Sequence, residues 1–196
     1  MNFDAGMLFT GETILQAKLA TALIRRSDYG LEQMAGEDAV LKLFGQAGIE
    51  GIGGKLHLTN YRLVFDSHSY NRVTGVFSVF LSTIVGTTGD TRFTKKRITV
   101  STHATAYEFI AWGIPALLKL IEDARTSLTE PSLDALKSEV EAHPQKVGSG
   151  FEQSGLDLGD IKAVGGKLEA LISIAVKPLD IANIANVIEL LTPMPK

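Results

Sequence analysis

Apolar and polar side chains alternate most regularly in the centre of the chain. Leu56 and Leu58 alternate with polar neighbours, and the residues from Tyr61 to Phe65 repeat the pattern. Because successive side chains of a strand point to opposite faces, each run has the period of a half-buried strand. Thr59-Asn60 separates the runs, and asparagine suits tight turns since it tolerates positive φ. The pattern therefore predicts an antiparallel hairpin.

The same two-residue period marks further short segments on both sides of the hairpin. They are rich in Val, Ile, Phe and Thr, as strands are, and turn residues separate them. The additional predicted strands are Val40–Phe44, Val76–Val85, Thr87–Asp90 (a strand or a loop), Ile98–Thr102 and Tyr107–Trp112. With the hairpin they make about seven strands, and the glycines between residues 45 and 54 indicate a flexible connection.

Three segments outside the strands have the longer period of helices. Apolar residues three and four apart predict an N-terminal helix over Thr10–Arg26. Ile114–Arg125 predicts a helix after the last strand, with Pro115 in its first turn, where a missing N–H costs nothing. A mostly polar helix is predicted over Leu133–His143, with Ser132 as its N-cap.

The end of the chain is more apolar than its middle. Residues Lys146–Gly155 are rich in Gly, Ser and Gln and predict a linker. Leu156–Val176 and Pro178–Leu191 then predict two helices with Ile and Leu along one face. Such faces do not stay in water, so this hairpin must pack on the rest of the chain, on a second copy, on a partner or on a membrane.

The central hairpin carries a family resemblance. Its sequence G-K-L-x-L-T-N-Y-R-L-x-F, residues 54–65, resembles the core hairpin of the GRAM family, a branch of the pleckstrin-homology-like barrels. The resemblance implies an α+β fold, a seven-stranded antiparallel barrel capped by the Ile114–Arg125 helix, with an N-terminal helix and a C-terminal helical extension. It also implies that Trp112 packs in the core near that helix. The domains expected are a lead at 1–34, a GRAM-like domain at 35–127 and a linker with extension at 128–196.

Composition and charge narrow the classes of function. The 196 residues are 45% hydrophobic and 21% charged, which is typical of a globular protein rather than a disordered one. The absence of cysteine excludes a disulfide scaffold and a thiolate metal site. We expect a cytoplasmic protein that meets a membrane only at its periphery, since neither a secretory signal nor a spanning apolar run is evident.

Charge is unevenly distributed along the chain. Residues 54–104 carry seven Lys or Arg against two acids, a net +5, whereas residues 128–196 carry six Lys against ten acids, a net −4. A basic middle and an acidic tail favour either an anionic partner for the middle or docking of the tail on it.

Five cations in two predicted turns are the candidate binding residues: Arg72, Arg92, Lys95, Lys96 and Arg97. If they converge at one rim, they could hold an anionic lipid headgroup or bilayer at about 1 kcal/mol per cation. The competing interpretation is a solvated sheet edge. Phosphoinositide-binding relatives of the barrel place cations in their first hairpin loop, whereas residues 45–54 here contain only acidic Glu50, which argues against specific phosphoinositide recognition.

No signature of catalysis, cofactor or metal stands out. Gly53-Gly54-Lys55 fails as a phosphate loop because residue 49 is Ile and residue 56 is Leu. The four histidines lack the spacing of paired metal ligands and are interpreted as surface residues, although a catalytic triad assembled in space stays open. Nucleic acid is disfavoured because the chain is acidic and its basic run has few aromatics.

The sequence thus predicts a non-enzymatic binding module for anionic lipids. The alternative is a protein-interaction or self-assembly module that uses Leu156–Leu191.

Overall fold

The computed structural model describes residues 3–29, 31, 48–69, 71, 73–90, 96–148, 150–151 and 186–192. Within these ranges the chain forms an antiparallel sheet with two α-helices and a third helical stretch at 186–191. The predicted strand Val40–Phe44, the predicted helix Leu156–Val176 and residues 178–185 lie outside the described residues.

Seven strands of six residues or more and one two-residue strand make up the sheet. The strands are β1 Ile14–Arg25, β2 Ile49–Thr59, β3 Arg62–Ser67, β4 Gly75–Phe80, β5 Ile84–Asp90, β6 Arg97–Thr102, β7 Ala106–Ala111 and β8 Gly150–Phe151, and the helices are α1 Ile114–Thr126 and α2 Glu130–Ala142.

The strand order is β5-β6-β7-β1-β2-β3-β4-β8, with all neighbours antiparallel. β4 and β5 are joined by a short turn at Leu81–Thr83 although they stand far apart in this order. The sheet therefore curves around its inner face, and the rings of Phe77 on β4 and Phe109 on β7 stack 6.1 Å apart across it. Pairing between β4 and β5 is not seen in the described residues, so the sheet is open and a closed barrel is not confirmed.

The predicted central hairpin is confirmed. β2 and β3 pair with Leu58 opposite Leu63 and Leu56 opposite Phe65, and the chain turns at residues 60–61. Leu63 and Phe65 are buried in the concave core, where Leu117 and Ile121 of α1 join them. The helix predicted from Ile114 is therefore present and contributes to this core.

Among the described residues, segments that cover the convex face of the sheet are seen on β3 and β4. Phe3 and Met7 pack there on Val64 of β3 and Val76 of β4. A second outer cluster joins the N-terminal segment, α2 and the C-terminal stretch to the end of β4, through Phe9, Tyr61, Phe80, Leu136, Val140, Val147, Val187 and Leu190. The convex face of β1 and β7 carries exposed side chains instead.

The predicted N-terminal helix Thr10–Arg26 is wrong, because Ile14–Arg25 is strand β1 in the middle of the sheet. Ala20, Ala22 and Ile24 alternate into the core, and a β-bulge between Ile14 and Gln16 shifts the register. Small alanines on one face and apolar residues on the other hide the two-residue period. The proposed domain boundary at residues 34/35 consequently separates two paired strands, β1 and β2.

Other predicted boundaries also shift. The glycines at 51, 53 and 54 lie in strand β2 rather than in a flexible connection. Val76–Val85 is broken by the Leu81–Thr83 turn, and Thr87–Asp90 belongs to β5. Helix α2 starts at Glu130, capped by Thr129, with Ser132 returning a hydrogen bond from the third position. Part of the predicted linker is ordered structure, since Gly150–Phe151 pairs with β4.

Candidate functional site

Two of the five predicted binding residues lie in the described part of the chain. Lys96 and Arg97 stand where β6 begins, while Arg72, Arg92 and Lys95 lie outside the described residues. Arg97 pairs across the sheet with Ile110, and its Nη1 lies 3.2 Å from Oε2 of Glu108 on β7. That carboxylate compensates the charge of Arg97, so the guanidinium is only partly available to an anion.

Lys96 has a different neighbour. Its ammonium lies over the indole ring of Trp112, an arrangement that the ring's electron-rich face stabilises. Lys18, which comes from β1, reaches the same residue, and its Nζ donates a 3.2 Å hydrogen bond to the Trp112 carbonyl oxygen. Two ammonium groups from separate strands therefore converge on Trp112.

Trp112 itself is 72% exposed, so its predicted place in the core is wrong. The residues around it explain the difference. Ala111 is buried on the concave side, and Gly113 turns the chain with φ 66° before α1 begins. Ile114 and Leu117 then fill the core position near the helix, which leaves the indole on the outside.

The described residues contain no group of three or more His, Asp or Glu that could hold a metal ion. His57 departs from the predicted surface position, because the Phe3 ring lies edge-on against its imidazole at 4.9 Å and only 8% of the residue is exposed. Burial lowers the pKa of His57; the Asp66 carboxylate raises it and Lys55 lowers it in smaller measure. Among the described residues neither imidazole nitrogen has a hydrogen-bond partner, and the ring contributes packing against Phe3.

Sequence reasoning missed Arg62, whose side chain makes five hydrogen bonds within the described part of the chain. Its guanidinium is fully buried and donates to Glu12, Ser78 and two backbone carbonyls. The carbonyl oxygens of Met7 and Lys146 each accept at 2.6 Å, so all five N–H groups are used. Burial lowers the pKa of Arg62, and Glu12 opposes that shift. With every donor occupied, Arg62 holds structural elements together and does not bind a ligand.

A groove of about 400 Å³ lies between the hairpin turn and the two helices, lined by apolar Leu15, Tyr61, Leu120, Ala124 and Leu128. Its polar lining residues are engaged within the chain. The Asn60 amide bonds Thr13 and Gly11, Asp123 pairs with Lys119, and Thr129 and Ser132 form the cap of α2. The groove is therefore lined mainly by apolar side chains.

The C-terminal stretch 186–191 docks on its own sheet. Asn186 is fully buried and accepts from the Phe80 backbone N–H and the Thr83 hydroxyl. Burial raises the pKa of the Tyr107 phenol, and the neighbouring Asn186 opposes that shift. In the described part of the predicted segment Leu156–Leu191, the buried residues Val187 and Leu190 therefore face this same chain.

Comparisons with known proteins show how little sequence the chain shares with them. No protein-family model and no curated protein matches it. The C-terminal domain of an unknown protein from Leishmania infantum is similar at 16% identity over 60% of this chain and 88% of that one, with a TM-score of 0.41. The Vps36 N-terminal PH domain is similar at 11% identity over 61% of this chain and 83% of that one, with a TM-score of 0.39. The resemblance to the GRAM family stays a prediction.

Proposed function

We propose that this chain is a non-enzymatic binding module of the pleckstrin-homology-like type that docks on anionic membrane lipids. The observation that carries the proposal is the convergence of Lys18 and Lys96 on Trp112 at one end of the sheet. In the described ranges, no helix is long and apolar enough to cross a membrane. In this proposal the contact with the membrane is peripheral.

The charges at this site favour an anion. Neither ammonium group has a carboxylate partner among the described residues, in contrast to Arg97 with its Glu108. An unpaired cation near an anionic bilayer contributes about 1 kcal/mol, and the attraction falls within a Debye length of about 8 Å at physiological salt. The proposal also includes the other cations that the sequence predicts, Arg72, Arg92 and Lys95. Lys95 immediately precedes Lys96 in the chain.

Vesicle flotation tests the proposal. The full chain is mixed at low salt with vesicles of phosphatidylcholine alone or of phosphatidylcholine with phosphatidylserine. We expect recovery only with the anionic vesicles, and a loss of about tenfold or more in binding for Lys18→Gln plus Lys96→Gln, because two cations are removed. The matched control is Lys119→Gln plus Lys137→Gln, which changes net charge equally on the helices. Equal recovery with both vesicle types would contradict the proposal.

Light scattering distinguishes the alternative role, a protein-interaction or self-assembly module through Leu156–Leu191. A chain that floats with anionic vesicles and is monomeric without them supports the lipid role. A stable oligomer that ignores vesicles would support self-assembly instead.

A further inference from the structure

Three large apolar side chains near the ammonium groups of Lys18 and Lys96 are exposed to solvent. Leu19 on β1 is 68% exposed, Trp112 is 72% exposed and Ile110 on β7 is 38% exposed. Ala20 pairs with Ala111, so Leu19 and Trp112 each lie one residue beyond that pair, at the same end of neighbouring strands. Ile110 pairs with Thr21, one position further into the sheet. We name Leu19, Ile110 and Trp112 the apolar tip.

The apolar tip differs from the rest of the convex face. Over β3 and β4 the N-terminal residues Phe3 and Met7 cover Val64 and Val76, which are fully buried. Over β1 and β7 such a cover is not seen among the described residues. Half of the six large apolar residues that are exposed in the described ranges, a set completed by Ile14, Leu15 and Val85, belong to this tip.

We propose that the apolar tip inserts into the boundary between headgroups and acyl chains of an anionic bilayer, while Lys18 and Lys96 hold the headgroup phosphates. This inference deepens the proposed function and rests on it. Tryptophan is the side chain best suited to this depth, because its ring is apolar and its N–H is polar. Lysine stems can lie along the apolar layer while their charges remain at the phosphates.

The positive charges beside the apolar tip favour an anionic bilayer, rather than a second copy of the chain, as the partner of this surface. In a two-fold symmetric dimer the same patch meets itself, which would bring Lys18 and Lys96 close to the Lys18 and Lys96 of the second copy. Like charges in a partly dehydrated contact repel one another. An anionic membrane satisfies the apolar and the cationic groups at the same time.

Trp112 is the only tryptophan, so its fluorescence reports on the tip alone. With vesicles of phosphatidylcholine and phosphatidylserine, we expect its emission to shift to shorter wavelength and to be quenched by lipids brominated on their acyl chains. At about 1 M salt, where the Debye length is about 3 Å, binding should weaken while any bound fraction keeps the shifted emission.

Leu19→Ser tests the neighbouring residue by flotation. We expect about tenfold weaker binding or more, because removing one large apolar side chain from an apolar layer shifts an equilibrium by about that factor. Val85→Ser is the matched control, since Val85 is 52% exposed on β5 and lies outside the tip.

The outcomes separate the two proposals. A chain that floats with anionic vesicles and whose Trp112 emission neither shifts nor is quenched would overturn the insertion while the electrostatic docking stands. A chain that does not bind anionic vesicles would overturn both. Trp112 emission that is already shifted in a vesicle-free dimer would assign the tip to self-association and overturn the insertion.

Discussion

Arg62 and Glu12 form a buried, bidentate ion pair that joins the N-terminal segment to the start of β3. Nε of Arg62 donates to Oε1 of Glu12 at 2.8 Å, and Nη2 donates to Oε2 at 3.0 Å. Both side chains are fully shielded from water. The Thr59 hydroxyl donates to the same carboxylate at 2.7 Å and the Phe9 backbone N–H at 2.8 Å, so each buried charge is matched by several hydrogen bonds.

Breaking this pair from one side should destabilise the fold strongly. We expect Arg62→Met to lower the free energy of unfolding by about 3–5 kcal/mol, because it leaves the Glu12 carboxylate buried without its cation. Urea unfolding followed by circular dichroism measures the change. Lys119→Met is the control on an exposed pair with Asp123, and its effect should stay within about 0.5 kcal/mol.

The double variant Glu12→Leu plus Arg62→Met sharpens the test. Removing both charges together should cost less than the sum of the single changes, since neither charge is then left alone. A loss below about 1 kcal/mol for Arg62→Met, or additive effects in the double variant, would show that the pair is not the connection described above.

Arg62 also shows what local sequence patterns cannot predict. Alternation correctly predicted the hairpin, because the period of a strand depends on neighbouring residues only. It also places Arg62 on the outer face of the hairpin. Alternation alone predicts that the polar side chains of this face are exposed to solvent. The partner Glu12 lies 50 residues away, and the covering segment at Lys146 lies 84 residues away. Contacts at such separations are set by the tertiary fold and leave no periodic signal.

Gly54 should tolerate no side chain. A Cβ there would lie 2.3 Å from the Asp66 carbonyl oxygen and 2.7 Å from Cζ of Phe65, both in the paired strand β3. We expect Gly54→Ala to cost about 1–3 kcal/mol through overpacking, measured as a lower urea midpoint. Gly86→Ala is the control, because nothing lies within 4 Å of its added Cβ. Equal midpoints for the two variants would contradict the close approach.

The glycines before the hairpin illustrate a second limit of the sequence. Glycine clusters usually mark turns, so the sequence predicts a connection at residues 45–54. In the structure Gly54 allows β3 and the Phe65 ring to come close, so it serves strand packing. The sequence of β1 wrongly predicts a helix for a related reason. Its outer face keeps Leu19 and Leu23 beside inward alanines, and apolar residues on both faces also fit the spacing of a helix.

Stability should depend on pH through His57. Burial lowers its pKa below the ordinary 6.5, so the unfolded chain binds the proton more readily than the folded one. The free energy of unfolding should therefore be level above pH 6.5 and fall as pH drops below it, before the carboxylates titrate at about pH 4. Urea midpoints measured at closely spaced pH values follow the effect.

Variants of two histidines show whether His57 causes this dependence of the free energy of unfolding on pH. His57→Gln should flatten it, because the titrating group is gone. His103→Gln should leave it unchanged, since His103 is exposed in the turn between β6 and β7. A slope that persists in His57→Gln would place the responsible group elsewhere.

Only part of the candidate site around Trp112 can be predicted from the sequence. The basic run predicts Lys96 and Arg97 as candidate binding residues, because charge density is visible in the sequence alone. The run could not show that Glu108 compensates Arg97, or that Lys18 approaches Trp112 from another strand, since both facts depend on pairing across the sheet. Exposure of Trp112 was hidden for the same reason. Whether an aromatic faces the core depends on where Gly113 turns the chain.

The C-terminal stretch should stabilise the sheet through Asn186. Its Oδ1 accepts from the Thr83 hydroxyl at 2.7 Å and from the Phe80 backbone N–H at 3.3 Å, at the turn between β4 and β5. Asn186→Ala removes the acceptor of the buried Phe80 N–H, whereas the Thr83 hydroxyl keeps the Phe80 carbonyl oxygen at 2.8 Å. We therefore expect a loss of about 1–3 kcal/mol in urea unfolding, because one buried donor is left unsatisfied.

Thr192→Ala tests an exposed residue of the same stretch and should change stability by less than about 0.5 kcal/mol. If Asn186→Ala is equally mild, the docking of residues 186–191 contributes little to the fold. Val187 and Leu190 could then leave the sheet at low cost, and the role of Leu156–Leu191 in binding a partner or a second copy would gain support over a purely structural one. A large loss would instead assign this end of the segment to the core of its own chain.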